Sequence, residues 1–471
     1  MSTPHSTAYE RHAPSTVAIE HALAHSRSSV FWLEDASPAP RHEPLTSNDR
    51  ADLVVVGGGY LGLWTALNAK RRDPGRRVVL LESQTIGWAA SGRNGGFVES
   101  SITHGEENAR SRWPDDVEEL DRLGAENLDG FAADVEELGL RCDWERTGVT
   151  QVAVEDYQVA ELGNGPEVLD GPAVRARIDS PLFLAGVHEA GSCAIVHPAR
   201  LALELARVAV EHGVEIREGS PVVALDTRGR SDVAVRTPRA TVTTQQVVLA
   251  TNVFRSLLRR NRLMTVPVYD YVLMSEPLTD EQLASIGWRG REGLADMANQ
   301  FHYSRLSRDN RILYGGYDAV YHAGGRLKVE HEERPQSFRT LASHFLATFP
   351  QLEGVRFSHR WAGAIDTCTR FTAFYGTARQ GRVAYASGFT GLGVGATRFA
   401  SHVLLDLLAR EQTPLTELAM VRERPLPFPP EPAATIGITA TRWSLDRADH
   451  RRGERNRFLR LLDAAGLGFD S

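Results

Sequence analysis

Short apolar runs separated by segments of helical periodicity dominate both ends of the chain. Runs at 53–56, 78–81, 247–252 and 382–387 lack inside–outside alternation, the pattern of central strands in a parallel sheet. Apolar residues at helical spacing follow the first and last of these runs, up to Lys70 and over 396–408. A further helix opens at His197-Pro198 and closes at His212-Gly213, leading into a strand at 214–217. The middle differs. Strands at 268–274, 302–306 and 312–315 alternate and are bounded by turn residues, which predicts an antiparallel sheet. A helix over 330–349 ends at Pro350.

This pattern predicts a Rossmann-like α/β domain, discontinuous in sequence, with an α+β domain built on an inserted antiparallel sheet. The expected division is a flexible tail over 1–30 and a dinucleotide-binding part over 31–110, 185–265 and 358–412. A substrate-binding part covers 111–184 and 266–357, and an arm and helix cover 413–471. In the last segment a proline-rich stretch precedes a basic amphipathic helix over 446–462, read as a solvated face. Phe31-Trp32-Leu33 is an apolar patch expected to dock on the body.

The first strand ends in Gly57-Gly-Gly59-Tyr60-Leu61-Gly62, a G-x-G-x-x-G turn that opens a helix. Its first glycine makes the tight turn, the second admits a pyrophosphate, and the third lets helix and strand pack. Glu82, followed by Ser83, ends the second strand twenty residues after Gly62, where a carboxylate accepts ribose hydroxyls. An acid there argues against a 2′-phosphate but fits NAD and FAD alike. A chance or packing turn is the lesser alternative, because strand, helix and acid all stand in place.

Composition narrows the chemistry. The chain has 471 residues and a net charge of −7, which gives no reason to expect nucleic acid or an anionic membrane. No apolar run is long enough to span a bilayer, and the first residues do not read as a signal peptide. Cys142, Cys193 and Cys368 are widely spaced, without metal-ligand spacing, so a reducing, cytoplasmic setting without disulfides or metal is expected. Lys70 and Lys328 are the only lysines, so lysine chemistry has few candidates.

Three further segments complete the set: Ala90-Ser91-Gly-Arg93-Asn94-Gly95-Gly96, the strand end Ala250-Thr251-Asn252, and Gly388-Phe-Thr-Gly391-Leu392-Gly393-Val394-Gly395 before the last helix. In this order they resemble the D-amino-acid-oxidase-like family of FAD-dependent amine oxidoreductases. The nearest branch is that of γ-glutamylputrescine, glycine and sarcosine oxidases, and the likeness runs from about Phe31 to the C-terminus. The resemblance implies FAD, which some members of the family tether through a cysteine in the C-terminal part of the chain; here it is expected to be held without a covalent bond. Gly57, Gly59 and Gly62 would hold the pyrophosphate and Glu82 the ribose. Ser91, Arg93, Asn94, Gly95 and Gly96 would lie along the ribityl chain and ring, and Val222 and Thr251 toward the adenosine side. Gly363, Gly388, Gly391, Gly393, Val394 and Gly395 would approach the pyrimidine end. That last group has its own physical support, since a helix N-terminus after glycines stabilises a reduced, anionic flavin.

The resemblance also implies the reaction: hydride passes from the α-carbon of a small amine or amino acid to flavin N5, and the imine hydrolyses. Dioxygen is the expected acceptor, giving H2O2. A dehydrogenase with another acceptor, a flavin monooxygenase and a non-catalytic sensor are the alternatives. Tyr269 and Tyr271 share one strand face and are expected in the pocket, as ordinary sheet aromatics otherwise. Tyr303 and Arg305 share another, where Arg305 offers a carboxylate clamp against a surface ion pair. His197 reads as a helix-start residue, and Cys368 as a buried thiol rather than a flavin tether.

Overall fold

The computed structural model describes residues 5–227 and 231–467. A parallel core of five strands runs in the order Val214–Arg217, Val78–Leu81, Asp49–Val56, Thr241–Leu249, Val383–Ser387. Leu53 and Val55 bury against the helices Tyr60–Arg72, Pro198–Glu211 and Gly393–Ala409, while Val54 and Val56 bury on the opposite face. Burial on both faces is why the run carries no alternation. The sequence segments 240–242 and 247–252 form one strand, Thr241–Leu249, whose first half pairs antiparallel with Val233–Arg236.

The second sheet follows the order Arg27–Ser28, Phe357–Thr367, Val266–Ser275, Ile312–Gly316, His302–Leu306, Gly293–Asp296, Val149–Ala153, Ala185–Glu189, Val168–Asp170. It is mixed: Gly293–Asp296 runs parallel to Val149–Ala153, and Arg27–Ser28 parallel to Phe357–Thr367. Ala185–Glu189 and most of Phe357–Thr367, which the sequence division assigns to the dinucleotide domain, are strands here. One face of this sheet buries the helix Pro335–Thr348. The other faces the parallel core.

Two termini depart from expectation. The predicted tail instead carries the helices Ala8–Arg11 and Thr16–Leu23, with Ala8, Tyr9 and Ala22 buried in the core of the second sheet. Residues 1–4 of that tail, and 468–471 at the other end, lie outside the described residues. The single basic helix is two helices, Ala433–Asp449 and Arg457–Ala464. Among the described residues no helix is long and apolar enough to cross a membrane. All three cysteines are buried and unpaired.

Candidate functional site

One cavity of about 1030 Å³ runs along the carboxyl ends of the parallel strands and beneath the second sheet. Its first end is the glycine turn. Gly57 has φ +116°, and a β-carbon there would meet the Ala250 carbonyl oxygen at 2.3 Å. At Gly62 a β-carbon would fall 1.9 Å from the Gly57 carbonyl oxygen, so helix and turn touch backbone to backbone. Gly59 is the N-cap of Tyr60–Arg72 and provides no side chain to cap it, leaving first-turn N–H groups for a ligand. The Tyr60 N–H donates to Ser91 Oγ at 3.0 Å, which ties the turn to the second glycine segment.

Glu82 is buried at the tip of its strand. Its Oε2 accepts the Gly58 N–H at 2.6 Å, and Oε1 accepts from the Gln84 N–H, the Ser83 hydroxyl and the Trp88 indole. Trp88 and Phe254, with ring centroids 5.4 Å apart, join Pro221, Val222 and Leu257 in an apolar slot beside it. Asn252 Oδ1 on the same wall is buried without a hydrogen-bond partner. A flat slot, a carboxylate and an orphaned acceptor fit the adenosine half of a dinucleotide.

The 90–96 segment is gripped from behind. Trp32 and Trp361 donate their indole N–H groups to the carbonyls of Asn94 and Arg93, at 3.0 and 2.8 Å. The Asn94 amide closes the turn on Ala90, Ser91 and Gly96. Arg93 pairs with Glu332 at 2.6 Å. Facing this segment, the 388–395 loop enters the helix Gly393–Ala409, whose N-cap Leu392 makes no side-chain bond. Asp366 Oδ2 accepts the Gly388 N–H at 2.5 Å, and burial pushes this carboxyl up to about 7. His104 bonds to the Thr390 carbonyl at 2.8 Å, and burial pushes it down to about 4, so it is neutral.

The second sheet roofs the cavity with Val268, Asp270 and Val272, together with Tyr303, Gly316, Gly363 and Ile365. Tyr303 donates its hydroxyl to Asp270 Oδ2 at 2.5 Å, and the Gly316 N–H donates to Oδ1 at 3.1 Å. Burial raises the Asp270 carboxyl to about 6, with these two hydrogen bonds and one from the Tyr271 backbone working against the rise. Glu99, on the cavity wall and open to it, is pushed up to about 7 by desolvation first and then by the neighbouring Glu189.

The cavity wall includes Gly57, Gly59, Tyr60, Leu61, Glu82, Ser83, Ala90, Ser91, Arg93, Asn94, Gly95, Gly96, Val222, Thr251, Gly363, Gly391, Leu392, Gly393 and Val394. Gly62, Gly388 and Gly395 sit behind it. Of the four expected substrate-side residues, Tyr303 alone is on the wall. Tyr269 and Tyr271 point to the opposite sheet face, where Tyr271 packs on Phe338 and bonds to the His331 carbonyl at 2.7 Å. Alternation separates the two faces but does not say which one packs a helix, and the aromatic face took it. The residue between them, Asp270, carries the signal that was missed: one acid inside an apolar strand.

Arg305 is no carboxylate clamp. It is buried, stacks 5.2 Å from the Trp32 ring, and donates from Nη1 to the Val196 and Gly95 carbonyls and from Nε to the Leu306 carbonyl. His197 is an N-cap, accepting the Arg200 N–H at 3.2 Å. Cys368 turns its thiol to the Thr372 carbonyl at 3.1 Å, off the cavity wall.

The parallel sheet, the glycine turn and the long cavity define a dinucleotide-binding oxidoreductase. The chain belongs to the DAO family of FAD dependent oxidoreductases, whose family model matches residues 52–407. It is 28% identical to the gamma-glutamylputrescine oxidoreductase of Escherichia coli (strain K12), over 85% of this chain and 93% of that protein. It is 27% identical to a probable oxidoreductase, OrdL, of Haemophilus influenzae, over 82% of this chain and 88% of that protein. In fold it is similar to glycine oxidase from Geobacillus kaustophilus, with a TM-score of 0.65 and 18% identity, covering 80% of this chain and 99% of that one.

Proposed function

We propose that this enzyme oxidises a C–N bond of an amine or amino acid, with FAD held non-covalently and dioxygen as the final acceptor. The observation that carries the reading is the half-buried Asp270–Tyr303 pair on the cavity roof, together with a cradle that fits a dinucleotide. The relatives named for gamma-glutamylputrescine and glycine oxidation support the same class of reaction.

Labour divides between the two sheets. Gly57, Gly59 and the first turn of Tyr60–Arg72 hold the pyrophosphate, Glu82 the ribose, and the slot at Val222 the adenine. The 90–96 and 388–395 segments hold the flavin end, where the N-terminus of Gly393–Ala409 favours negative charge. When bound, FAD supplies the two-electron acceptor for the hydride removed next to nitrogen. The protein must deliver a neutral amine, because an ammonium has no lone pair to assist that loss. Asp270, with a pKa near 6, accepts the ammonium proton. Tyr303 holds the carboxylate in place. The apolar neighbours Val268, Val272 and Ile365 keep water away. The buried thiol of Cys368 supports a non-covalent cofactor, and three unpaired cysteines support a reducing, cytoplasmic setting.

Anaerobic addition of the substrate amine should bleach the flavin absorbance, and air should restore it with release of H2O2. Slow recovery in air with fast recovery by an artificial acceptor would make the enzyme a dehydrogenase. A flavin that no amine or amino acid reduces would sink the reading.

A further inference from the structure

The family match stops at residue 407, but the chain continues and returns over the substrate end of the cavity. The returning segment is pinned to the second sheet and its loops at several points. Tyr321 donates to Glu431, the Gly324 N–H donates to Thr435 Oγ1 at 3.3 Å, and Arg442 pairs with Asp318. Asp449 accepts from the backbone N–H and the side-chain amide of Asn299, at 3.0 and 2.7 Å. Beyond the second helix, the Gly466 carbonyl accepts at 2.5 Å from Arg112, which ends the helix Gly105–Arg112, and Ala109 of that helix packs in the core of the parallel sheet. The helices Ala433–Asp449 and Arg457–Ala464 therefore bridge both domains across the cavity.

Their inner face is mostly apolar, with Thr441 and two arginines among its residues. Ile438 and Leu445, two turns apart, come from the first helix, and Phe458, Leu459 and Leu462 from the second. The two arginines on this wall pair with acids outside it, Arg442 through Nη2 with Asp318, its Nε being buried without a partner, and Arg455 with Asp463 at 2.5 Å. Among the described residues, this cap gives the cavity no carboxylate. A second ammonium on the substrate would meet guanidinium groups and hydrocarbon there, an expensive place for a cation. Gln300 and Tyr317 complete the chamber from the sheet side.

We infer that the substrate is an amine with an apolar body, aromatic or branched aliphatic, which the C-terminal helix pair binds in preference to diamines and small amino acids. The inference rests on the amine-oxidising reading of the same site. It sets this chain apart from the diamine-derived substrate in the name of its Escherichia coli relative.

The test is a titration of the FAD-loaded enzyme without oxygen, following the flavin spectrum. One set of ligands is 2-phenylethylamine, tryptamine and isoamylamine; the other is putrescine, glycine and sarcosine. The tightest member of the first set should bind at least about tenfold more tightly than any of the second. Phe458→Asp should weaken that ligand by about tenfold or more, and Leu462→Ala, a milder change that keeps the helix, by severalfold, with FAD content unchanged in each. Equal binding of the two sets, no spectral response to any apolar amine, or Leu462→Ala without effect on the ratio would overturn the inference. Apolar amines that perturb the flavin spectrum without reducing it would keep the cap assignment and sink amine oxidation. Reduction by putrescine or glycine alone would do the reverse.

Discussion

Tyr303 and Asp270 share a hydrogen bond of 2.5 Å on the cavity roof, across the strands His302–Leu306 and Val266–Ser275. The bond favours the ionised carboxylate against burial, which holds the group near 6. Tyr303→Phe removes that support, so the Asp270 pKa should rise, and the acid limb of the pH profile for flavin reduction should move upward. Asp270→Asn should lower the limiting rate by roughly a hundredfold, the ordinary contribution of a positioned base. Stopped-flow reduction across pH reads both. A limb that stays put in Tyr303→Phe would remove Asp270 from the proton path.

The contact between Gly62 and Gly57 tests the cradle. A methyl group at position 62 would sit 1.9 Å from a carbonyl oxygen, an overlap that only backbone movement relieves. Gly62→Ala should therefore displace the turn, and the protein should purify with little FAD, read from the ratio of visible to ultraviolet absorbance. The loss of stability should be on the order of 2–3 kcal/mol. Full flavin content would show that the turn is not what holds the cofactor.

The cradle was legible in the sequence because its constraints are local. A strand buried on both faces, a helix-opening glycine turn and an acid after the next strand all leave their mark within 52–82. The roof was less legible, since it depends on which face of Val266–Ser275 a distant helix covers. Pro335–Thr348 took the tyrosine face, so Asp270 came to the cavity instead. Arg305 looked like a clamp because its strand position was right, but its depth depended on Trp32 from the N-terminal region. The C-terminal helices hid their role most fully. Their many arginines read as a solvated face, and the apolar residues between them acquire meaning only once the chain folds back over the cavity.

Glu99 makes stability depend on pH. Desolvation first, and Glu189 next, raise its folded pKa to about 7 from an ordinary value of 4.5. Between those two values the folded chain keeps a proton that the unfolded chain releases. Stability from this group is thus fully present below about 4.5 and lost as pH rises through about 7. Asp366, also raised to about 7, acts in the same direction. Thermal unfolding temperatures should fall across that window, with the fully buried Asp366 contributing more and Glu99 less, because the Glu99 carboxylate reaches the open cavity and is screened. Glu99→Gln should flatten the slope. A parallel slope in that variant would place the proton elsewhere.

Tyr9 fastens the N-terminal helices to the substrate sheet. Its hydroxyl donates to Asp296 Oδ2 at 2.5 Å, and the same oxygen lies 2.6 Å from His302 Nδ1. His302 in turn bonds to His344 at 2.9 Å and stacks 5.0 Å from Tyr317, which lines the cavity. Tyr9→Phe keeps the ring against His344 and leaves Asp296 one donor short, which should cost about 1–2 kcal/mol. Tyr9→Ala also empties a buried ring site, and its cost should reach about 3–5 kcal/mol. Because the cluster backs Tyr317, Tyr9→Ala should also weaken amine binding, whereas Tyr9→Phe should leave it nearly unchanged. Denaturant titrations of the two variants separate the hydrogen bond from the packing. If Tyr9→Ala matched the parent in both stability and binding, the N-terminal helices would be an attachment on the surface rather than part of the core that shapes the site.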